Sequence, residues 1–263
     1  MRFGCMNSGN SRVSGGCYNK RLRQLGGTVL FVVLASLATN TAVVLANPQE
    51  TNPSANVPKL EGILAGMDRA ASRFTSMMAD LEYTKVTVIV NDHSTERGQV
   101  FFEKSAGKTR VMVAFHDPAE KYALFADGKV DLYQPKIAEV DEYQLSQNKD
   151  LVEQFLLLGF GTSGTELKKA YRISLRGQET VDGQPASVLE LVPNSPKVAA
   201  QLQSIELWIS PKTWQPLQQK FHEPGGDYVT ALYSNLKWNE KIPDKNFRLP
   251  IKGKVRTVKP QAP

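Results

Sequence analysis

His93, His116 and His222 are the only imidazoles in the 263 residues. They lie far apart, and none has a second His or Cys two to four positions on. A zinc site needs about three or four converging ligands, so no metal site is expected. Cys5 and Cys17 both precede Asn47, and the rest of the chain has no thiol for a disulfide or a thiolate ligand. Asp141 and Glu142 are adjacent. In a strand they point to opposite faces and cannot work as one acid–base pair. No Gly-x-Ser-x-Gly elbow occurs. Gly159-Phe160-Gly161-Thr162-Ser163-Gly164 has the spacing of a phosphate loop. Such a loop follows a strand and opens a helix, whereas this one follows an apolar run, so a flexible hinge is the expectation. No catalytic residue, metal or cofactor can be nominated, and an enzyme is not expected. The carboxylates scattered along the chain leave a hydrolase as an unsupported rival.

The residues that remain to do chemistry are apolar, and their work is burial. From Arg110 to Tyr143 the pattern is strand, turn, strand, turn, strand. Arg110–Phe115 ends at His116-Asp117-Pro118. Tyr122–Ala126 turns at Asp127-Gly128 into Val130–Tyr133, and Gln134-Pro135-Lys136 leads into Ile137–Tyr143. Asp-Gly between apolar runs is a strong hairpin signal, because the tight turn needs positive φ. A meander of this kind makes a sheet with a buried face. Strands are also expected at Tyr83–Asn91, where Val86, Val88 and Val90 share one side, and at Gln99–Lys104, with Asp92–Arg97 as a polar turn between them. Further strands are expected at Tyr171–Val181, Ala186–Val192, Ile205–Ile209, Pro216–His222 and Tyr228–Trp238, with a short helix within Pro193–Gln203.

Something must cover that sheet. Between Lys59 and Leu81 apolar residues recur in steps of three and four, from Leu60, Ile63, Leu64 and Met67 to Phe74, Met77, Met78 and Leu81. The spacing predicts one long helix. Ahead of it, residues 1–46 carry five basic residues and no acidic one, an apolar run from Val29 to Leu37, and Val44-Leu45-Ala46 before Asn47. That is the layout of a secretory signal peptide cleaved before Asn47. Taking those five from 32 Lys and Arg leaves 27 basic against 26 acidic residues. The basic balance of the whole chain therefore says nothing for nucleic acid. The expected organisation is a signal peptide over 1–46, a linker over 47–58, one domain over 59–250 and a basic tail over 251–263. The tail, with Lys252, Lys254, Arg256 and Lys259, reads as a solvated end or as a contact with anionic membrane.

Gly98-Gln99-Val100-Phe101-Phe102, Asp117-Pro118, Leu124-Phe125-Ala126-Asp127-Gly128-Lys129 and Leu132-Tyr133-Gln134-Pro135 resemble the periplasmic outer-membrane lipoprotein carrier family, LolA. The resemblance covers roughly Pro58 to Leu249. It implies an α+β fold: a strongly curved antiparallel sheet, an incomplete β-barrel, covered by a long N-terminal helix and short lid helices. It also implies a monomeric periplasmic carrier that takes lipoprotein acyl chains from an inner-membrane release complex to an outer-membrane acceptor. The cavity is expected to be lined by Val86, Val88, Val90, Phe102, Met112, Leu124 and Leu132. A slip of one register would exchange every strand residue in that set.

Asn148–Phe160 is apolar nearly all round, and such a helix needs cover on more than one side. It can be a helix wedged in the core or a lid over a greasy ligand. The resemblance favours the lid, with Leu151, Phe155, Leu156 and Leu158 facing the cargo. One departure stands out. The carriers place a basic residue and a Pro just after the strand corresponding to Gln99–Lys104, where it latches the lid. Here the turn is Lys104-Ser105-Ala106-Gly107-Lys108, with Ser105 or Ala106 at the basic position. Neither side chain can reach across a cavity, which leaves Lys104, Lys108 or Arg110 as the latch or no latch at all. The expectation is no single Arg latch and a lid held mainly by apolar contact of Phe155 and Leu158 with the sheet. A sensor or regulatory envelope protein on the same fold is the rival from another class.

Overall fold

The computed structural model describes residues 59–105, 107–145 and 158–260. The expected leader and linker, and the lid positions Leu151, Phe155 and Leu156, lie outside them. Helix α1, Leu60–Ala71, has Glu61 in its first turn and Arg69 in its last, each complementing the helix dipole. It buries Ile63, Leu64 and Met67. The long helix of the sequence reading is thus twelve residues, and β1, Ser76–Thr87, takes over where the helix was expected to continue. Met77, Ala79, Leu81 and Tyr83 fit a period of two as well as Met77, Met78 and Leu81 fit a helical stripe. Pairing with strands on both sides decides for the strand.

The chain then runs through β2, Asp92–Ser105; β3, Lys108–Asp117; β4, Lys121–Ala126; β5, Lys129–Gln134; and β6, Glu139–Gln144. Asp127 and Gly128 both hold positive φ in the turn between β4 and β5, as the Asp-Gly signal requires. Helix α2, Gly164–Ala170, starts in a capping box, with the Ser163 Oγ accepting from the Glu166 amide at 3.0 Å. After it come β7, Tyr171–Val181; β8, Gln184–Pro193; α3, Pro196–Ala199; β9, Ser204–Ile209; β10, Pro216–His222; β11, Tyr228–Trp238; and β12, Arg256–Val258.

The twelve strands of the described residues form one sheet in the order β12-β6-β5-β4-β3-β2-β1-β11-β10-β9-β8-β7. Neighbours are antiparallel except β12, which lies parallel to β6. β7 and β12 end the sheet without pairing to each other, so the barrel is incomplete. The hairpin between β1 and β2 differs from expectation at two points. Val88–Val90 form a single 3-10 turn rather than the end of a strand, and Asp92–Arg97 belongs to β2 rather than to a turn. Part of the expected tail is also a strand: Arg256 pairs with Glu139, its Nε 2.8 Å from the carboxylate.

The interior divides. One apolar cluster joins Ile63, Leu64 and Met67 of α1 and Leu167 of α2 to Leu189, Leu191, Ile205, Leu207 and Ile209 of β8 and β9. A second joins Phe74, Met77, Phe102, Val111, Phe125 and Phe160 over β1 to β4. On the opposite face, Ile242, Phe247 and Leu249 cover Met112 and Leu124. Gly159, Gly161 and Gly164 are packing positions rather than a hinge. A Cβ would stand 2.6 Å from Pro216 Cγ at Gly159, 2.4 Å from Phe74 Cδ1 at Gly161 and 2.6 Å from the Leu64 carbonyl at Gly164.

Candidate functional site

The strands of the first cluster's side are filled by helices. Those of the second are only partly covered by the described residues, and an open cavity of about 700 Å³ lies there. Strand alternation builds its wall. Leu81 and Tyr83 come from β1, Val100 from β2, and Val111, Val113 and Phe115 from β3, every second residue in each. Register carries the same face across: Val113 pairs with Ala123, and Ala123 with Leu132. On the other side of β1, Val229, Ala231 and Tyr233 of β11 and Phe221 of β10 continue the wall. Phe115 meets Tyr83 edge-on with ring centroids 6.0 Å apart.

The polar groups sit at its edges. At the rim, Lys121 Nζ is 2.6 Å from the Glu96 carboxylate and 4.8 Å from the centre of the Phe115 ring. At the floor, Gln219 is buried and engaged at both ends. Its Oε1 accepts from the Tyr233 hydroxyl at 2.8 Å, and its Nε2 donates to the Leu158 carbonyl. Phe160, two residues on, lies edge-on to Tyr233 with centroids 4.8 Å apart. Burial raises the pKa of Tyr233, with Tyr83 adding to it. It also raises that of Tyr83, assisted by Glu223 and Glu96. Both phenols stay neutral donors. The lining residues include no His, Ser or Cys. Among the described residues, no three His, Cys, Asp or Glu side chains converge as metal ligands. What this surface can do is bury an apolar ligand, with hydrogen-bond donors and acceptors confined to floor and rim.

No family model matches the chain. An uncharacterized protein of Methanocaldococcus jannaschii is 25% identical over 174 residues, which is 66% of this chain and 46% of that protein. The chain thus spans about half the length of this curated relative. A chain of the Pseudomonas aeruginosa MucA/MucB complex is similar at 18% identity and a TM-score of 0.45, over 74% of this chain and 62% of that one. The lipoprotein LppX of Mycobacterium tuberculosis is similar at 14% identity and a TM-score of 0.44, over 70% and 99%. A LolA superfamily protein of Nitrosomonas europaea is similar at 17% identity and a TM-score of 0.37, over 72% and 97%. LolA superfamily proteins are among its structural neighbours.

The expected lining residues scatter. Leu132 lines the cavity. Phe102 is on the same face but is sealed beneath Phe74, 5.0 Å away between ring centroids. Met112 and Leu124 point to the opposite face, under Ile242, Phe247 and Leu249. Val86 is also on the opposite face: Lys85, its neighbour, pairs with the cavity residue Val229. Val88 and Val90 are exposed in the 3-10 turn. The single-register slip fell on β1 and on β3 to β4. Arg110–Phe115 is apolar at every position after Arg110, because both of its faces are covered, so polarity could not tell Met112 from Val111 and Val113.

Leu158, the one expected lid residue that is described, belongs to the core under α1. The segment is fastened there by its own carbonyl on Gln219, a role with no sequence signal, since Gln218-Gln219-Lys220 reads only as a polar run. Arg110 is elsewhere. It pairs with Glu103 and with Asp244, the latter at 3.0 Å, and stacks on Phe247 at 4.3 Å on the face away from the cavity.

Proposed function

We propose that this chain is a non-enzymatic periplasmic carrier, holding lipoprotein acyl chains in the cavity as they move from inner to outer membrane. The observation that carries this reading is the open apolar cavity of about 700 Å³, walled by alternate residues of adjoining strands. Each buried CH₂ contributes about 0.8 kcal/mol, so a chain of many methylenes is held without any covalent step. Among the described residues the floor is formed by Gln219 and Tyr233, neutral groups that suit a hydrocarbon. The rim pair Lys121–Glu96 would meet the polar end of the ligand. Cleavage before Asn47 would place the protein in the periplasm. An inner-membrane release complex would load it and an outer-membrane acceptor would empty it.

The test is mass spectrometry of lipid extracted from the purified mature protein, with titration by a fluorescent fatty acyl probe. Co-purified acyl lipid and saturable probe binding, weakened at least tenfold in Val113→Glu, are expected. A mature protein that holds no lipid and binds no probe would end the carrier reading. A bound peptide in place of lipid would move the protein to the sensor class.

A further inference from the structure

Val88, Ile89 and Val90 are 50%, 87% and 68% exposed, three consecutive aliphatic side chains in water at the tip of the β1–β2 hairpin. We propose that this tip is a membrane contact, entering the headgroup boundary of a lipid bilayer. The proposal rests on the carrier reading above for its purpose, but on separate residues for its chemistry.

The tip is built to hold its side chains out. Asn91 closes the 3-10 turn in the left-handed region at φ 50°, and its amide bonds the Val88 carbonyl at 3.2 Å. The Val88 amide donates to the Asp227 carboxylate at 2.9 Å, tying the turn to the neighbouring β10–β11 connection. Thr87 still pairs with Asp92, so the strands are in register up to the turn itself. An exposed apolar turn on a fixed stem presents its side chains without an ordering cost at the moment of contact.

Its place relates it to the cavity. Tyr83 and Glu96 face each other across β1 and β2, and both line the cavity. From Tyr83 the strand runs on to Thr87, about 13 Å at the usual rise of ~3.3 Å per residue. The tip therefore projects past the rim that carries Glu96 and Lys121. An acyl chain leaving a bilayer on which the tip rests would have a short path to that rim.

Size decides between a bilayer and a protein. The flanking Lys85, Asn91, Asp92, His93 and Ser94 are exposed and polar, so the apolar patch stops at three residues. A specific protein interface needs about 800 Å² on each partner, far more than three side chains fanning from a turn. Shallow insertion needs no flat face and no further area. Lys85 and Asp92 are on the same hairpin and Asp227 bonds its turn, so charges of both signs flank the tip. Binding should therefore be weak, reversible and indifferent to anionic lipid, as for one apolar anchor without a basic patch.

The mature chain has no cysteine, so Ile89→Cys can be labelled at one place with an environment-sensitive dye. With phosphatidylcholine vesicles, the dye emission should shift to the blue and be quenched by shallow lipid-borne quenchers. Ile89→Asp should lower vesicle co-sedimentation at least fivefold and leave acyl-probe binding in vesicle-free solution unchanged. No blue shift, or equal sedimentation of Ile89→Asp and the native protein, would overturn the proposal. So would a shift that needs no vesicles and grows with protein concentration, which marks contact between copies. If the native protein binds no acyl probe while the dye still enters vesicles, the carrier reading fails and the membrane contact stands.

Discussion

The two halves of the sheet are made of the same material and finished differently. Beneath α1 and α2, the inward residues of β8 and β9 are sealed: Leu189, Leu191, Ile205, Leu207 and Ile209 have essentially no exposure. Across β1 to β5 the inward residues are apolar apart from Glu96, Lys121 and Gln134, yet a cavity of about 700 Å³ lies against them. The cause lies in the chain's early path. α1 stops at Ala71, too short to reach over both halves, and among the described residues Phe74 and Phe160 cover the near end of the second. Stability is concentrated where the helix lands, and binding surface remains where it does not.

The largest test of that contrast is Leu207→Ala. A fully buried Leu truncated in a packed core loses roughly 2–5 kcal/mol. Urea unfolding should show that loss, while acyl-probe affinity of the folded protein stays within twofold. A large loss of affinity would mean that the halves are not separable. Next is Gln219→Leu, at the join between them. It leaves the Leu158 carbonyl and the Tyr233 hydroxyl without their partner, each buried group costing about 1–3 kcal/mol. Amide exchange at Gly159–Gly161 should quicken. Unchanged exchange there would show that apolar packing alone holds the segment.

A pH titration adds a smaller signal from the sealed half. Tyr171 is buried in that core with its hydroxyl unpartnered among the described residues, and burial pushes its pKa up to about 12. The unfolded chain ionises near pH 10, so the folded state holds the extra proton between the two values. Its contribution is present below pH 10 and is lost as pH rises toward 12. Tyr171→Phe should flatten the fall in stability over that window, and an unchanged slope would remove Tyr171 as its cause. The smallest effect is expected from Arg110→Ala. Its pairs with Glu103 and Asp244 are partly exposed and contribute about 0–1 kcal/mol each. Hydrogen exchange across Asp150–Gly161 and probe affinity should not move, because Arg110 is on the far face.

The strands were legible because their ends are written in turn chemistry. Asp127-Gly128 and Asp182-Gly183 both hold the positive φ that their residues favour, and Tyr171–Val181, Pro216–His222 and Tyr228–Trp238 begin and end where the pattern put them. The site was less legible. A sheet covered on both faces gives apolar runs with no polar side, so Arg110–Phe115 could not report its own inward residues. The cover that erased the signal is Ile242, Phe247 and Leu249, more than a hundred residues away. The helix was overextended for a related reason, since Met77, Met78, Ala79 and Leu81 satisfy two periods at once and only pairing with β2 and β11 chooses. Gln219 had no local mark, its importance coming wholly from what lies opposite.

The glycines at 159, 161 and 164 carry a lesson about tolerance. Each is pressed by a side chain or carbonyl from a different part of the chain: Pro216, Phe74 and Leu64. A comprehensive substitution screen should find all three nearly as intolerant as the glycines of a nucleotide-binding loop, whose spacing they share. The screen would then score a ligand site where none of the intolerance comes from a ligand. Single replacements should fail, whereas Gly161→Asn, a side chain that tolerates the positive φ of 63°, paired with Phe74→Ala should recover part of the folding. Epistasis between distant positions, rather than invariance at one, is the signature by which such a run declares itself a joint.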